Sequence, residues 1–138
     1  MNNITLAQSY LQKASVRLKV LDLLLAEKAY SDVIREAQEA VELALKGILR
    51  QIGVEPPKQH DVGRLVVEYA RSLPPDVRED APRLAEISRW LRKEREFAFY
   101  GDVDFIPTEE YTLQDAEQAR RDCAFVVQVA RRVIAGGR

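Results

Sequence analysis

Residues 34–57 read IREAQEAVELALKGILRQIGVEPP, and the spacing within them decides the fold class. Ile34, Ala37, Val41, Ala44, Leu45, Ile48 and Ile52 recur three or four residues apart. At about 100° per residue, that spacing draws one apolar stripe down a helix. Ala37, Ala40 and Ala44 are small enough to let a neighbouring helix approach closely. Gly53 stands where a left-handed C-terminal cap belongs, and Pro56-Pro57 forbid continuation. Upstream, Tyr30-Ser31-Asp32 offers a cap, with Ser31 or Asp32 suited to accept the first free N–H groups.

The same period extends in both directions. Leu6, Tyr10, Ala14, Leu18, Leu21 and Leu25 predict a first helix over roughly Ile4 to Ala29. A short third helix is expected from Asp61, with Leu65, Val66, Tyr69 and Leu73 inward, ended by Pro74-Pro75. Asp80-Ala81-Pro82 reads as a cap with proline in the first turn, opening a fourth helix on Leu84, Ile87, Leu91 and Ala98. Gly101 to Thr112, with Pro107 and scattered acids, reads as a loop. Thr112 followed by Asp115 is close to a capping box. It opens a fifth helix on Ala116, Ala119, Cys123, Val126, Val127, Ala130 and Ile134, ended by Gly136-Gly137. No segment alternates as a half-buried strand does, and no long repeat is present. The expected fold is all-α: an up-and-down bundle of about five helices, with one shorter crossing helix, as one domain over residues 1–138.

Composition narrows the function classes. With 46% hydrophobic residues in 138, the chain can bury a core without metals or disulfides, and its one cysteine, Cys123, suits a reducing compartment. Met1-Asn2-Asn3-Ile4 carries no basic run leading into an apolar stretch, so no signal peptide is expected. Apolar runs such as Leu23 to Ala26 are far too short to span a bilayer. A soluble, cytoplasmic protein with no membrane association is the expectation. Lys plus Arg total 21 against 22 for Asp plus Glu, so the net charge is −1. Nonspecific wrapping of nucleic acid favours a strongly basic chain, which leaves only a local basic patch for such a role.

Arg95 stands out because it shares the stripe of Leu84, Ile87, Leu91 and Ala98. A guanidinium there is costly to bury unless acceptors meet it. Two readings stay open. Arg95 snorkels to the bundle end or pairs with Glu42, Asp102 or Asp104; or Arg95 and Tyr100 line a polar groove at a helix terminus. Phe97, Phe99 and Tyr100 make this the most aromatic window of the chain, and Arg89, Arg92 and Lys93 add charge on other faces. Together with Asp102 they form a candidate nucleotide or RNA site, or else a solvated face. His60 most simply satisfies a local hydrogen bond at a helix entry. With no second histidine and no cysteine nearby, no zinc site is expected, and no cofactor. Cys123 reads as a small core residue. Asp102, Asp104, Glu109 and Glu110 form an acidic loop without calcium-loop spacing. Tyr10, Trp90 and Phe125 read as packing residues, although Trp90 beside Arg89 and Arg92 could stack on a base.

Several segments together resemble the HEPN family. They are Ala40-Val41-Glu42-Leu43-Ala44-Leu45-Lys46-Gly47-Ile48-Leu49, Gly53-Val54, His60-Asp61-Val62, Arg95 with Tyr100-Gly101-Asp102, Pro107, Tyr111-Thr112 and Asp115-Ala116. They cover nearly the whole chain. The resemblance implies a helical fold that forms a homodimer and sets two copies of an arginine motif across a cleft. In the family's active ribonucleases, histidine follows that arginine by four to six residues. Arg95 matches, whereas Tyr100 stands where histidine would. A tyrosine with its usual pKa near 10 is a poor base at neutral pH, so a metal-independent ribonuclease built on Arg95 and Tyr100 would be weak or specialised. The resemblance also implies a separately encoded nucleotidyltransferase as partner, with this chain as the toxin-like or substrate-binding subunit. A tyrosine near the motif can be the modified group in such pairs, and Tyr100 matches that role in type.

Overall fold

A computed structural model describes residues 3–56, 58, 61–103 and 105–134. The expectations on His60, Asp104 and Gly136-Gly137 lie outside the described residues. Six helices follow one another: α1 (Asn3–Ala26), α2 (Tyr30–Gln51), α3 (Val62–Glu68), α4 (Ala81–Phe99), α5 (Pro107–Glu110) and α6 (Leu113–Ile134). Single 3₁₀ turns lie at Ala70–Ser72 and Arg78–Asp80. The chain is all-α, with five helices of seven residues or more among the described residues, and α5 is one turn inside the segment expected to be a loop.

Helix α2 organises the rest, touching α1, α3, α4 and α6. Its expected stripe is buried from Ile34 through Ile48, with Ala37, Ala40 and Ala44 fully inside and Ile52 partly so. Near the end of that stripe lies Gly47. A Cβ on Gly47 would come within 3.2 Å of the Ala7 carbonyl oxygen and 3.3 Å of Tyr10 Cβ on α1, and 3.1 Å of Ile134 on α6. A side chain there would make all three helices give by a few tenths of an ångström. Polar pairs along the flanks report direction: Arg17 meets Glu36 at 3.5 Å, Arg120 meets Asp22 at 2.6 Å, and Arg131 donates to Ser15 at 3.2 Å. Numbers rising on α1 pair with numbers falling on α2 and α6, so α1 runs antiparallel to both.

The stops follow from backbone chemistry. After α2 the Val54 N–H returns to the Leu49 carbonyl at 2.8 Å and the Gly53 N–H to Arg50 at 3.1 Å, with Gly53 at φ 83°. This is a Schellman cap, and it matches the expected glycine stop. The first helix ends by the same device three residues before the expected Ala29. Ala29 N–H bonds the Leu24 carbonyl at 2.9 Å and Lys28 N–H that of Leu25 at 3.0 Å, with Lys28 at φ 58°. A lysine in a left-handed conformation gives no sequence signal of a stop. Because the turn comes early, α2 already begins at Tyr30. Ser31 is buried inside its first turn, and neither Ser31 nor Asp32 caps it.

Two further expected caps are present. Asp61 accepts from Gly63 and Arg64 N–H at 3.0 and 3.4 Å. Thr112 and Asp115 exchange reciprocal bonds of 2.9 and 3.2 Å at the start of α6. The α6 stripe is buried throughout, and so is that of α4 at Leu84, Ile87, Leu91 and Ala98. Tyr69, expected inward, is exposed instead. Helix α3 stops at Glu68, and the 3₁₀ turn rotates Tyr69 outward before Leu73 re-enters the core. Among the described residues, no helix is long and apolar enough to cross a membrane.

Candidate functional site

The C-terminal half of α4 presents charge on every side except its core stripe. Arg95 lies at the edge of that stripe, its side chain 47% exposed, and donates to Glu39 Oε1 of α2 at 2.8 Å. The guanidinium therefore neither sinks into the core nor pairs with Glu42 or Asp102. One turn earlier, Arg92 reaches the Asp61 carboxylate at 3.8 Å, beside the cap of α3. Arg89 and Lys93 point outward and are exposed. Arg95 and Arg92 thus share the side of α4 that faces α2 and α3, with Arg89 and Lys93 around the helix from them.

The opposite edge of α4 is held by a pair that residue spacing does not reveal. Tyr111, largely buried, donates its hydroxyl to Glu94 Oε1 at 2.9 Å. Its ring meets Phe105 edge-on, with centroids 5.4 Å apart and planes at 73°. Burial, then the Glu94 carboxylate, raise the Tyr111 pKa, so the hydroxyl stays a donor. Seventeen residues separate the partners, and nothing local links them. Glu39 was equally invisible, since one glutamate among several on the polar edge of α2 carries no mark of its partner.

Between α4 and α5 the chain makes a tight turn. Asp102 and Phe105 exchange backbone bonds of 2.9 and 3.0 Å, and the Asp102 carboxylate accepts the Val103 N–H at 2.6 Å. Gly101 enters this turn at φ 76°, and a Cβ there would lie 2.5 Å from the Phe105 carbonyl oxygen. The site residue Asp102 thus shapes the turn. At its surface the turn exposes apolar side chains: Tyr100 is 75% exposed, Val103 92% and Ile106 50%. Tyr100 follows Arg95 by five residues and stands one residue past the end of α4, in the turn.

The remaining candidates fall into packing roles. Cys123 is fully buried, and burial pushes its thiol up to about 12. Phe125 lies under the Arg83 guanidinium at 3.9 Å, and Trp90 packs partly against the core. Among the described residues, no three His, Cys, Asp or Glu side chains are grouped to hold a metal ion.

Two comparisons bear on this arrangement. The family model described as HEPN domain matches residues 7–134, from the first buried residue of α1 to the last of α6. A protein of Methanocaldococcus jannaschii named "Putative toxin MJ1304" is 26% identical over 136 residues, covering 94% of this chain and 88% of that protein.

Proposed function

Since the chain belongs to the HEPN-domain family, we propose that it is the toxin-like subunit of a two-protein system, working as a homodimer beside a separately encoded nucleotidyltransferase. The observation that carries this reading is the surface at the end of α4. Arg95 is half exposed and held in place by Glu39, and a locked turn beside it offers Tyr100, Val103 and Ile106 to a partner. Exposed apolar side chains grouped on a hydrogen-bonded turn favour coverage by another protein surface. A twofold pairing through this region brings two Arg95 groups towards one cleft, where they can contact RNA or nucleotide phosphate. The toxin name of the archaeal relative supports the same direction.

Arg89, Arg92 and Lys93 supply further positive charge for that ligand, and Tyr100 is accessible to a modifying enzyme. The exposed cations also favour a second reading, a metal-independent ribonuclease in which Arg95 stabilises phosphate charge. Tyr100 lacks the proton-shuttling chemistry of histidine, so that activity is expected to be low.

The test expresses wild type, Arg95→Ala and Tyr100→Phe with and without a nucleotidyltransferase encoded in the same genome, following growth and the integrity of total RNA in EDTA. Wild type should arrest growth, Arg95→Ala should relieve the arrest, and the nucleotidyltransferase should bind and protect. Wild-type protein that is monomeric, harmless and indifferent to the nucleotidyltransferase would refute the proposal. RNA cleavage lost in Arg95→Ala would establish the ribonuclease reading.

A further inference from the structure

A second cationic site lies away from Arg95, where the N-terminal half of α1 crosses the end of α2. The close approach at Gly47 sets Tyr10 against α2. Beside it lies a cleft of about 170 Å³, lined by Tyr10, Lys46, Arg50, Glu55, Pro56 and Lys58. Lys46 and Arg50 are four residues apart, neighbours on one helix face, where like charges repel. Lys58 adds a third cation from the segment after α2. Neither Lys46 nor Lys58 is ion-paired among the described residues, and Glu55 forms no salt bridge with any of the three.

Helix electrostatics explain only part of this. A cation in the last turn complements the helix dipole, which accounts for Arg50. Lys46 lies more than a turn inside the helix, and Lys58 lies outside it. Among the described residues that line the cleft, cations outnumber carboxylates, with Lys46, Arg50 and Lys58 against Glu55. A phosphate monoester carries close to −2 at neutral pH, whereas an internal phosphodiester carries −1. Size points the same way. About 170 Å³ is below the range of roughly 300–1,000 Å³ that encloses a whole small ligand, so the cleft takes a phosphate group and little beyond it.

We infer that this cleft binds a terminal phosphate monoester, with Lys46, Arg50 and Lys58 as counter-charges and the Tyr10 hydroxyl as a neutral donor. It is separate from the Arg95 site: Lys46 to Arg50 lie about 10–17 Å along α2 from Glu39. The inference does not rest on the function proposed above. A free phosphate and the phosphorylated end of an oligonucleotide present the same group.

The test titrates the protein with inorganic phosphate, a 5′-phosphorylated trinucleotide and the same trinucleotide with a 5′-hydroxyl. The phosphorylated trinucleotide should bind at least about tenfold more tightly than the hydroxyl form. Inorganic phosphate should compete with it. Lys46→Ala with Lys58→Ala should weaken binding at least about tenfold with an unchanged circular dichroism spectrum, and the single Lys58→Glu variant guards against misfolding at the half-buried Lys46. Arg95→Ala should bind as wild type does. Binding of inorganic phosphate alone, lost in the lysine variants, would support the site with free phosphate as its ligand. Equal affinity for the two trinucleotides, lysine variants that bind as wild type does, or no binding of either phosphate probe would overturn it.

Discussion

Replacing Gly101 with alanine incurs two costs and leaves the turn no cheap way out. The first cost is conformational. At φ 76° an L residue is disfavoured relative to glycine by about 1 kcal/mol or somewhat more. The second is steric. The new Cβ would stand 2.5 Å from the Phe105 carbonyl oxygen and 2.6 Å from Pro107 Cδ. Neither neighbour is the free end of a flexible side chain, so backbone must move. Moving Phe105 breaks its paired bonds with Asp102, worth about 1 kcal/mol each. Together these terms give about 2–3 kcal/mol, an upper bound if the turn unlatches locally while the bundle holds. For a chain of this size the midpoint should fall by about 6–12 °C. Thermal denaturation followed by circular dichroism measures the global part, and amide exchange at Asp102 and Phe105 measures the local part. A variant with an unchanged midpoint and both amides still protected would refute the steric argument, and with it the hydrogen-bonded turn on which the partner surface rests.

Three further outcomes are expected. Lys28→Gly should stabilise the chain by about 0.5–1 kcal/mol in urea denaturation, because Lys28 holds a left-handed cap position that glycine adopts without strain. Thr112→Ala should cost about 1 kcal/mol in the same assay, since it removes the acceptor for the Asp115 N–H at the start of α6. Asp122→Asn should raise the melting temperature at pH 7. Burial raises the Asp122 pKa from 3.8, so its favourable contribution is present below 3.8 and is lost as pH rises through the higher folded value. The gap between wild type and variant should therefore close as the pH is lowered towards 3.8; a gap that stays constant from pH 7 to pH 3.5 would contradict this assignment.

Helix faces were legible wherever burial is one-sided. The stripes of α2, α4 and α6 could be read because a residue at each of their positions meets the core on one side and water on the other. The capping box at Thr112 and the stop at Gly53 were legible because their chemistry is local, complete within a few residues. Misreadings arose where a non-glycine residue takes a glycine's conformation, as Lys28 does, and where a short turn rotates the register, as at Tyr69. The candidate site was legible in its anomaly and not in its geometry. Arg95 is visible as a charge on an apolar stripe. That Glu39 anchors it, and that Tyr111 secures the other edge of α4 through Glu94, depends on contacts across 56 and 17 residues. No local pattern encodes such distances.

The position of Cys123 has a practical consequence. The chain has one thiol, and it is fully buried on the inner face of α6. A thiol reagent added to native protein can react only when α6 separates from its neighbours, because the thiol is shielded from solvent and held protonated. Under conditions where closing outpaces reaction, the labelling rate reports the equilibrium population of that open form. The protein therefore carries its own opening gauge, readable without an introduced cysteine. It can record whether binding of a partner at the end of α4, or of phosphate beside Lys46, is transmitted to the centre of the bundle.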